Sequence, residues 1–580
     1  MTGIPSHWRC RNNNKLDTEL LGKSVFSPFL LEILARRDIT SEEEIVSFIN
    51  PSLKNLHEPL ELPGINKGIK RLIKAVEGNE NIIVFGDYDT DGIISATLMY
   101  KFLKDLGIES DVYIPDRFEE GYDLSVDFIK KVSLEGECNL IIAVDCGTNS
   151  VEVKNFIKRS DSSPDVIVCD HHNQSEDFKD STGKYIIINP KLKNSRYKFK
   201  HLSGAAVTFK FINAVLKKMD YKLKKNFRKD YLTGLLDLVS ISTIADIMPL
   251  VGENRILVKK GLEVLQKTAN PGLKKIMSFA IGEKDYVDEH DIGFIIVPRL
   301  NASGRIKNAR VSFDLLIKKG NILDELADEI NSFNKRRQKI QKDIFSEIVE
   351  NNDFDEIIAS DRIFIGKSKN WSEGVLGIVA SKIVNKFNIP AVLFKEAEGE
   401  LKGSGRSIDK FDLYGNLSRL EYLFNSFGGH QLACGIKMDI KNYEAFYENL
   451  VKITCRSLAA EDIKKIFTYD MEIGFKDINK AVFNEINMLR PFGPGNPKPV
   501  FISRNCMISE FSHLSGGKHV KLKLKQGRFS MDAIMFNLDE KIKGKIIKGE
   551  KINILYRIEE NNWRNRKNIQ LVISDLFYRI

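Results

Sequence analysis

The sequence predicts a multidomain α/β protein, with two α/β domains joined by a long helix and followed by a small β-barrel. Between about residues 60 and 320, short apolar runs alternate with helical stretches, which is typical of a parallel sheet covered on both faces. A long helical pattern and a second alternating region come next. After about residue 466 the pattern changes to short strands with polar turns.

Composition argues against several classes of protein. Apolar residues make up 42% of the chain and charged residues 29%, as in soluble globular proteins. No apolar run reaches the ~18 residues of a membrane span, and residues 1–14 are too polar for a signal peptide. The seven cysteines are an odd number without C-x-x-C spacing, which argues against a disulfide framework or zinc site and fits a reducing cytoplasm. The net charge of +9 weakly favours a polyanionic partner.

The first 60 residues are the least informative part of the chain. Pro28–Leu34 and Ser41–Ile45 predict two short helices, the second beginning with a capping box. Because 580 residues exceed one hydrophobic core, we expect several domains. They are an N-terminal arm at 1–60, an α/β core at 61–320, a linking helix at 321–352, a second α/β domain at 353–465 and a β-rich domain at 466–580.

Three carboxylates directly follow the first predicted strand of the core. Asp87, Asp89 and Asp91 stand at alternate positions between Ile82–Phe85 and a predicted amphipathic helix, Ile93–Leu106. They therefore lie at the carboxyl end of a strand, where open α/β sheets bind ligands. Carboxylates this close repel one another, and a divalent cation would neutralise them. An ordinary acidic turn is the alternative interpretation.

Carboxylates end two further strands. The predicted strands are Ile82–Phe85, Val112–Ile114, Leu140–Val144, Val166–Cys169 and Tyr185–Ile188. Asp145 follows the third strand and Asp170 the fourth. Because parallel strands end at the same edge of a sheet, we expect these acids to gather on one rim although they lie far apart in sequence.

Two histidines and a fourth acid extend this set. His171 and His172 follow Asp170, and imidazole is a common ligand of transition metals, although a lone histidine is often only structural. Asp246 follows the apolar helix predicted at Leu235–Ile244. An acid in apolar surroundings should be paired or metal-bound, unless it only terminates the helix.

These residues together predict a centre for phosphoester hydrolysis. The predicted ligands are Asp87, Asp89, Asp145, His171 and Asp246, with Asp91, Asp170 and His172 beside them. Mixed carboxylate and imidazole ligands suit Mn²⁺ or Mg²⁺ better than structural zinc. Several carboxylates can hold two ions, and two metals ~3.5–4 Å apart stabilise the attacking and leaving oxygens of a phosphate displacement.

The linking segment and the second α/β domain carry basic and glycine-rich features. Asn321–Asn352 predicts one helix of ~45 Å, whose basic residues Lys335–Arg337 either follow phosphates or form an ordinary solvated face. In the second domain, Gly403–Ser407 and Gly428–His430 are loops that can bind a phosphate or are simply tight turns. We expect Ser404, Arg406, Gly429 and His430 to form a pocket for a terminal phosphate.

The last domain predicts a five-stranded barrel of the OB type. Its predicted strands are Val500–Ile502, His519–Lys525, Ser530–Phe536, Lys551–Arg557 and Ile569–Ser574. Lys521, Lys523 and Lys525 alternate with apolar residues and form a basic ridge ~13 Å long. With the aromatic and basic segment Trp563–Lys567, this ridge suits single-stranded DNA, although a lysine-rich edge can also serve only to prevent aggregation.

Four motifs, in order, resemble the DHH phosphoesterase superfamily. They are Asp87–Gly92, Val144–Gly147, Asp170–His172 and Ala245–Ile247. Further segments look like the companion DHHA1 domain and an OB domain of one branch, the bacterial 5′→3′ exonucleases specific for single-stranded DNA. Trp371–Ser381, Gly403–Ser407 and Phe427–Gly435 resemble the DHHA1 domain, and Pro491–Pro497 resembles the opening of the OB domain. Pro298–Arg305 is similar to a stretch that follows the core in this branch. The resemblance covers roughly residues 25–575.

The resemblance implies roles for individual residues. The five predicted ligands would hold two Mn²⁺ or Mg²⁺ ions, with Asp145 as the bridge and His172 near the scissile phosphate. Arg299, Asn301 and Arg305 would contact DNA. The enzyme would release 5′-mononucleotides during DNA recombination and repair, with a helicase and a single-strand-binding protein as partners, and we expect a monomer.

Two other functions remain open from sequence. A DHH phosphodiesterase of short oligoribonucleotides or cyclic dinucleotides is the nearer alternative, but such relatives are typically smaller and lack the C-terminal β domain. A non-catalytic DNA-binding scaffold is the other, but the degenerate members of the superfamily lose metal carboxylates that this chain keeps.

Overall fold

The protein forms two compact units. The computed structural model describes residues 7–12, 25–117, 120–121, 123–134, 138–175, 183–219, 227–282, 284, 286–538, 540–544, 546–563 and 566–578. The barrel unit consists of Met1–Leu56, Ile247–Lys260 and Ile466–Ile580. The two-sheet unit consists of His57–Asp246 and Gly261–Lys465.

The strands are numbered in chain order. They are β1 Trp8–Cys10, β2 Ile82–Gly86, β3 Ser110–Tyr113, β4 Leu140–Val144, β5 Asp165–Cys169, β6 Tyr185–Ile188, β7 Phe364–Ser368, β8 Ala391–Ala397, β9 Glu400–Arg406, β10 Ser426–His430, β11 Ala433–Asp439, β12 Phe467–Tyr469, β13 Met471–Glu472, β14 Phe501–Leu514, β15 His519–Gln526, β16 Phe529–Met535, β17 Lys551–Trp563 and β18 Arg566–Tyr578.

The helices of four or more residues lie between these strands. They are Pro28–Ala35, Glu42–Ile49, Ile65–Glu77, Thr90–Asp105, Val126–Leu134, Val151–Arg159, Gly204–Met219, Phe227–Gly234, Leu236–Ala245, Gly252–Leu265, Pro271–Ala280, the π-helix Ile292–Ile296, Val297–Ile306, Arg310–Ile317, Ile322–Glu350, Phe354–Ser360, Leu376–Phe387, Leu413–Ser418, Tyr443–Ser457, Lys480–Met488 and Glu540–Lys543. Among the residues described, no helix has the length and apolarity to cross a membrane.

The first sheet of the two-sheet unit is fully parallel, as predicted, with the order β3-β2-β4-β5-β6. Its central strands are buried along their whole length, since helices cover both faces. Gly86, Val144 and Cys169, the last residues of β2, β4 and β5, pair side by side. This register places the acids that come directly after these strands, Asp87, Asp145 and Asp170, next to one another.

The helix after β2 differs from the prediction. An amphipathic helix was predicted at Ile93–Leu106, but the observed helix is Thr90–Asp105 and its first ten residues are all buried. The helices Gly204–Met219 and Leu236–Ala245 pack against it. The amphipathic expectation was wrong because this helix lies inside the domain rather than on its surface.

The second sheet has the order β10-β11-β9-β8-β7, in which only the β7–β8 pair is parallel. The predicted linking helix is confirmed as Ile322–Glu350. Leu326 and Ile330 are buried near its beginning, where it packs on the helix Val297–Ile306. Ile344 and Ile348 belong to the core of the second sheet, so one helix contributes to both domains.

The barrel unit contains the predicted OB-type barrel. β14, β15, β16, β18 and β17 form a ring that closes through the β14–β17 pair. The first two helices share its core, because Leu30, Leu34 and Ile45 pack with barrel residues such as Ile508. The segment predicted as an N-terminal arm is therefore part of the barrel unit, a packing that local sequence pattern does not reveal.

We predict that the helix Glu42–Ile49 stabilises the barrel through its buried face. Ile45 is 1% exposed, whereas its neighbour Val46 is 44% exposed. Ile45→Ala should lower the free energy of unfolding of the barrel unit by about 2–5 kcal/mol through the cavity it creates. Val46→Ala, the matched control, should change it by less than about 0.5 kcal/mol. Hydrogen exchange of the β15 amides measures both effects, and equal exchange in the two variants would contradict the prediction.

Candidate metal centre and phosphate pocket

The carboxyl edge of the first sheet carries the predicted metal ligands. Asp87 and Asp89 follow β2, Asp145 follows β4, and Asp170, His171 and His172 follow β5. Asp246 caps the carboxyl end of the helix Leu236–Ala245. The structure thus brings together residues that lie up to 159 positions apart (246 − 87).

His171 lies among the acids. Its Nε2 is 3.2 Å from Asp145 Oδ1, 3.5 Å from Asp246 Oδ2 and 3.8 Å from Asp91 Oδ2. Asp87, Asp89 and Asp145 form a neighbouring group whose ligand atoms lie within 4.8 Å of one another. Asp145 therefore lies near both groups, and its role as the bridging ligand stays a prediction.

Burial and mutual repulsion strongly disfavour the charged forms of these acids. Burial, followed by the charges of neighbouring carboxylates, raises the pKa of Asp87 and of Asp145 well above the usual range. The same causes raise the pKa of Asp246 to about 8. The apo centre is therefore electrostatically unfavourable at neutral pH when its carboxylates are ionised.

The donor set fits divalent cations. Among the described residues, no group donates a hydrogen bond to the buried oxygens Asp145 Oδ1 and Asp246 Oδ2. A buried acceptor left unsatisfied costs about 1–3 kcal/mol. Carboxylate oxygens with one imidazole are ligands that Mn²⁺ accepts, and clustered carboxylates suit Mg²⁺. A bound cation would satisfy both oxygens and reduce the repulsion among the acids.

The two histidines differ in electrostatic character. Burial lowers the pKa of His171 to about 3, so its ring is neutral, the form that ligates metals. The ring of His172 is held by Asp170, with Nδ1 2.7 Å from Asp170 Oδ1. Although burial opposes it, the Asp170 charge raises the pKa of His172 to about 9. Asp170 thus orients His172 and also accepts the backbone N–H of Thr148.

Asp91 has a structural role. Its carboxylate accepts the backbone N–H groups of Gly204 (2.8 Å) and Ala205 (2.9 Å) and the hydroxyl of Ser242 (2.6 Å). It therefore anchors the first turn of the helix Gly204–Met219 beside the metal centre. Three hydrogen-bond donors contact this carboxylate, although Asp91 also lies in a group with His171 and Asp246 whose ligand atoms are within 4.8 Å of one another. Its place beside the ligands rather than among them stays a prediction.

Gly204 lies directly against the Asp145 side chain, a contact that sequence reasoning missed. Asp145 has a left-handed backbone conformation, with φ of 63°, and its carboxylate lies against Gly204. A Cβ atom at position 204 would come within 2.7 Å of Asp145 Cγ. The only signal in the sequence is a run of small residues, Ser203–Ala206, which is too common to be informative.

A pocket of about 190 Å³ adjoins the metal centre. It is lined by Tyr88, Asp89, Arg117, Asn301, Gly304, Arg305, Gly377, Ser404 and Arg406. Of the predicted DNA-binding residues, it brings together Asn301, Arg305, Ser404 and Arg406. Tyr88 and Arg117, which pack as a cation–π pair at 5.2 Å, were missed because nothing in their local sequence distinguishes them.

Contacts inside this pocket hold its residues in place. Asn301 Oδ1 accepts the Thr90 N–H at 2.9 Å. This hydrogen bond attaches the turn that contains Asp89 to the helix Val297–Ile306. Arg406 Nη1 donates to Ser404 Oγ at 3.1 Å. Burial, followed by the positive charge of Arg117, lowers the pKa of Arg305 to about 10. The pocket thus concentrates guanidinium groups around a single lining acid, Asp89.

Besides the three lysines of the barrel, three predicted DNA-binding residues lie outside this pocket. Arg299 Nη1 donates to Ile295 O at 2.8 Å, and His430 Nδ1 accepts the Leu432 N–H at 3.3 Å. Gly429, with φ of 143°, approaches the backbone of Ala433. Their role in DNA binding stays a prediction.

The basic ridge of the barrel is less uniform than the sequence indicated. Lys521, Lys523 and Lys525 are exposed on β15, as predicted. Lys523, however, pairs with Glu510 on β14 and with Asp532 on β16. These cross-strand acids offset its charge. Most side chains of the predicted segment Trp563–Lys567 lie outside the described residues.

Family comparisons agree with this architecture. Residues 81–241 match the model of the DHH family N-terminal domain, residues 360–454 match the DHHA1 domain, and residues 469–575 match the RecJ OB domain. Fold and site together define a DHH phosphoesterase that carries an OB domain.

Similarity to individual relatives extends over nearly the whole chain. The single-stranded-DNA-specific exonuclease RecJ of Bacillus subtilis is 34% identical over 556 residues, which covers 95% of this chain and 68% of that protein. The chain belongs to the RecJ family. Crystal structures of RecJ from Thermus thermophilus with Mn²⁺ and with Mg²⁺ have TM-scores of 0.80 and 0.75 at 23% identity. The match to the Mn²⁺ structure covers 99% of this chain and 80% of that one. The match to the Mg²⁺ structure covers 98% of this chain and 78% of that one. Both matches establish the common fold.

We predict that Gly204→Ala disturbs metal binding. The added methyl group would displace the Asp145 carboxylate, and misplacing a ligand or its support typically weakens metal affinity about 10- to 100-fold. Gly234→Ala is the matched control, because a Cβ there meets nothing within 4 Å. Calorimetric titration with Mn²⁺ measures both variants, and wild-type affinity in Gly204→Ala would count against the proposed contact.

Proposed function

We propose that the chain is a metal-dependent exonuclease that hydrolyses single-stranded DNA from its 5′ end and releases 5′-mononucleotides. One observation carries the proposal: the carboxylate centre and the arginine-lined pocket share Asp89. A hydrolytic centre directly beside an arginine-lined pocket suits a substrate that ends in a phosphate.

The metal centre would be formed by the five predicted ligands. Asp87, Asp89, Asp145, His171 and Asp246 would hold two Mn²⁺ or Mg²⁺ ions. Such ions supply Lewis-acid stabilisation of charge on phosphoryl oxygens and lower the pKa of water. The protein contributes the fixed rim, in which the in-register strands set the spacing between the acids.

The pocket would determine where the strand is cut. Arg117, Arg305 and Arg406 offer charge-assisted hydrogen bonds to a terminal phosphate, and Ser404 offers a hydroxyl. A bound phosphate would offset the repulsion among these guanidinium groups. With the strand end held in this pocket, the first internucleotide bond would be the one presented to the metal centre. This arrangement accounts for exonuclease rather than endonuclease action.

His172 would lie beside the scissile phosphate. Asp170 orients its ring through Nδ1, and the charges of Asp87 and Asp246 lie within electrostatic reach of the imidazole. A histidine held in this way can position a phosphoryl oxygen without being a metal ligand.

The barrel unit would bind DNA through exposed lysines of its own. Lys521 and Lys525 are the ridge residues without a directly paired acid on the neighbouring strands. Their contacts to phosphates would make binding weaken with salt. A helicase and a single-strand-binding protein as partners, the monomeric state and the cytoplasmic location are proposals that rest on the family resemblance alone.

We expect strand polarity and metal dependence in a direct assay. A single-stranded oligonucleotide labelled at its 5′ end should release labelled mononucleotide at once in Mn²⁺, whereas a 3′-labelled strand should shorten progressively. Matched duplex and RNA should be spared, and EDTA or Asp145→Ala should abolish cleavage. Asp127→Ala, which removes an acid with a 94% exposed side chain, is the control and should retain full activity.

Other outcomes of this assay would point to a different function. Degradation limited to very short RNA or cyclic dinucleotides would place the chain with the smaller DHH phosphodiesterases. Binding without cleavage in any divalent metal would contradict an enzymatic role.

We predict that Arg406→Ala removes the preference for phosphorylated 5′ ends. The variant loses one charge-assisted contact, so kcat/KM for a 5′-phosphorylated strand should fall about 10- to 100-fold, with less effect on a 5′-hydroxyl strand. Arg419→Ala, at an exposed position of the same domain, is the control. An unchanged ratio between the two substrates would refute the role of the pocket in recognising the strand end.

A further inference from the structure

We propose that Arg299 and Arg337 form a second anion subsite, separate from the pocket, that binds an internucleotide phosphate of the DNA strand. The proposal rests on the single-stranded DNA exonuclease function and adds a residue, Arg337, from the linking helix. It also gives Arg299, predicted from sequence to contact DNA, a specific partner and ligand.

Arg337 is the one inward-facing member of the basic segment Lys335–Arg337. Lys335 and Arg336 are exposed, whereas Arg337 is 9% exposed. Its Nη2 donates to Asn334 Oδ1 at 2.6 Å and its Nη1 to Gln341 Oε1 at 3.3 Å. Both acceptors are neutral amides, and within the described ranges its Nε has no acceptor. The buried charge of Arg337 is therefore oriented but not neutralised.

Arg299, which is only partly buried, lies on the helix Val297–Ile306, which packs on the linking helix. Its guanidinium donates to the neutral carbonyl of Ile295, and its Nε lies buried without an acceptor among the described residues. No carboxylate of the described part of the chain forms an ion pair with either arginine.

The two arginines interact with each other and with the pocket. Burial, followed by the charge of Arg299, lowers the pKa of Arg337. Arg337 in turn is among the charges that lower the pKa of Arg305, which lines the pocket. Arg337 is thus an electrostatic neighbour of Arg299 and of Arg305. Buried charges normally require a partner, and an anion between Arg299 and Arg337 would supply one.

A phosphodiester is the anion that this arrangement fits. Planar guanidinium groups present paired N–H donors that match phosphate oxygens. Arg299 precedes Arg305 by six positions, a separation of ~9 Å along a helix. The pocket and the subsite are therefore distinct, and one extended strand can place its terminal phosphate in the first and an internal phosphate in the second.

Binding without cleavage tests the subsite. We would measure the affinity of the full-length chain, in EDTA, for 5′-phosphorylated oligothymidylates and for thymidine 5′-monophosphate at several salt concentrations. Arg337→Gln should weaken oligonucleotide binding roughly 10- to 100-fold and reduce the salt slope by about 0.7, the value for one lost phosphate contact on a single strand. Binding of the mononucleotide should not change, because it reaches only the pocket.

Matched variants separate this effect from general damage. Arg336→Gln removes an equal charge from the exposed face of the same helix and should leave affinity and salt slope unchanged. Arg299→Gln should reproduce the effect of Arg337→Gln, which keeps the test valid if the latter variant folds poorly. A neutral methylphosphonate at one linkage should weaken wild-type binding but have no further effect in Arg337→Gln.

The outcomes distinguish this inference from the proposed function. If the wild-type chain neither binds nor cleaves single-stranded DNA, the proposed function fails and the subsite with it. If the wild type cleaves as proposed but Arg337→Gln and Arg299→Gln behave like Arg336→Gln, only the subsite is refuted. A loss of mononucleotide binding equal to that of the oligonucleotide would also refute it, because the effect would then belong to the pocket.

Discussion

Repulsion among buried carboxylates is the constraint around which the two-sheet unit is built. Parallel strands in register place Asp87 and Asp145 side by side, and burial makes their charges costly. The fold tolerates this because backbone N–H groups and a helix N-terminus secure the neighbouring Asp91. Replacing such acids with neutral residues should favour the folded state, so the cluster reflects a requirement of function at the expense of stability.

Repulsion between like charges also affects the basic side chains of this unit. Arg305 and Arg406 gather in one pocket, and Arg299 and Arg337 lie beyond them without counter-ions among the described residues. The apo protein therefore contains repulsion within its group of acids and within its group of arginines. Substrate and metals complement each other here, because the phosphates offset the guanidinium groups and the cations offset the carboxylates. Binding of each should therefore strengthen binding of the other.

The sequence predicted the features that depend on local motifs. It did not predict those that depend on packing between segments far apart in the chain. Strand ends followed by Asp87, Asp145 and Asp170 were predictable, because parallel topology converts three separate motifs into one rim. The barrel was predictable from five short strands with polar turns between them. The need for Gly204 and the inward direction of Arg337 could not be predicted, since both depend on distant segments. Lys523 seemed part of a ridge because its paired acids are visible only in the strand register.

The shared core of the barrel unit has a consequence for synthesis of the chain. The side chains of Ser27 and Glu485 are hydrogen-bonded although they lie 458 positions apart. At ~5–20 residues per second, the ribosome needs on the order of half a minute or more to cover that distance. Throughout that interval the apolar face of Pro28–Ala35 has no barrel to pack against, while the parallel sheet can already fold. The early helices are thus a natural site for chaperone binding on the nascent chain.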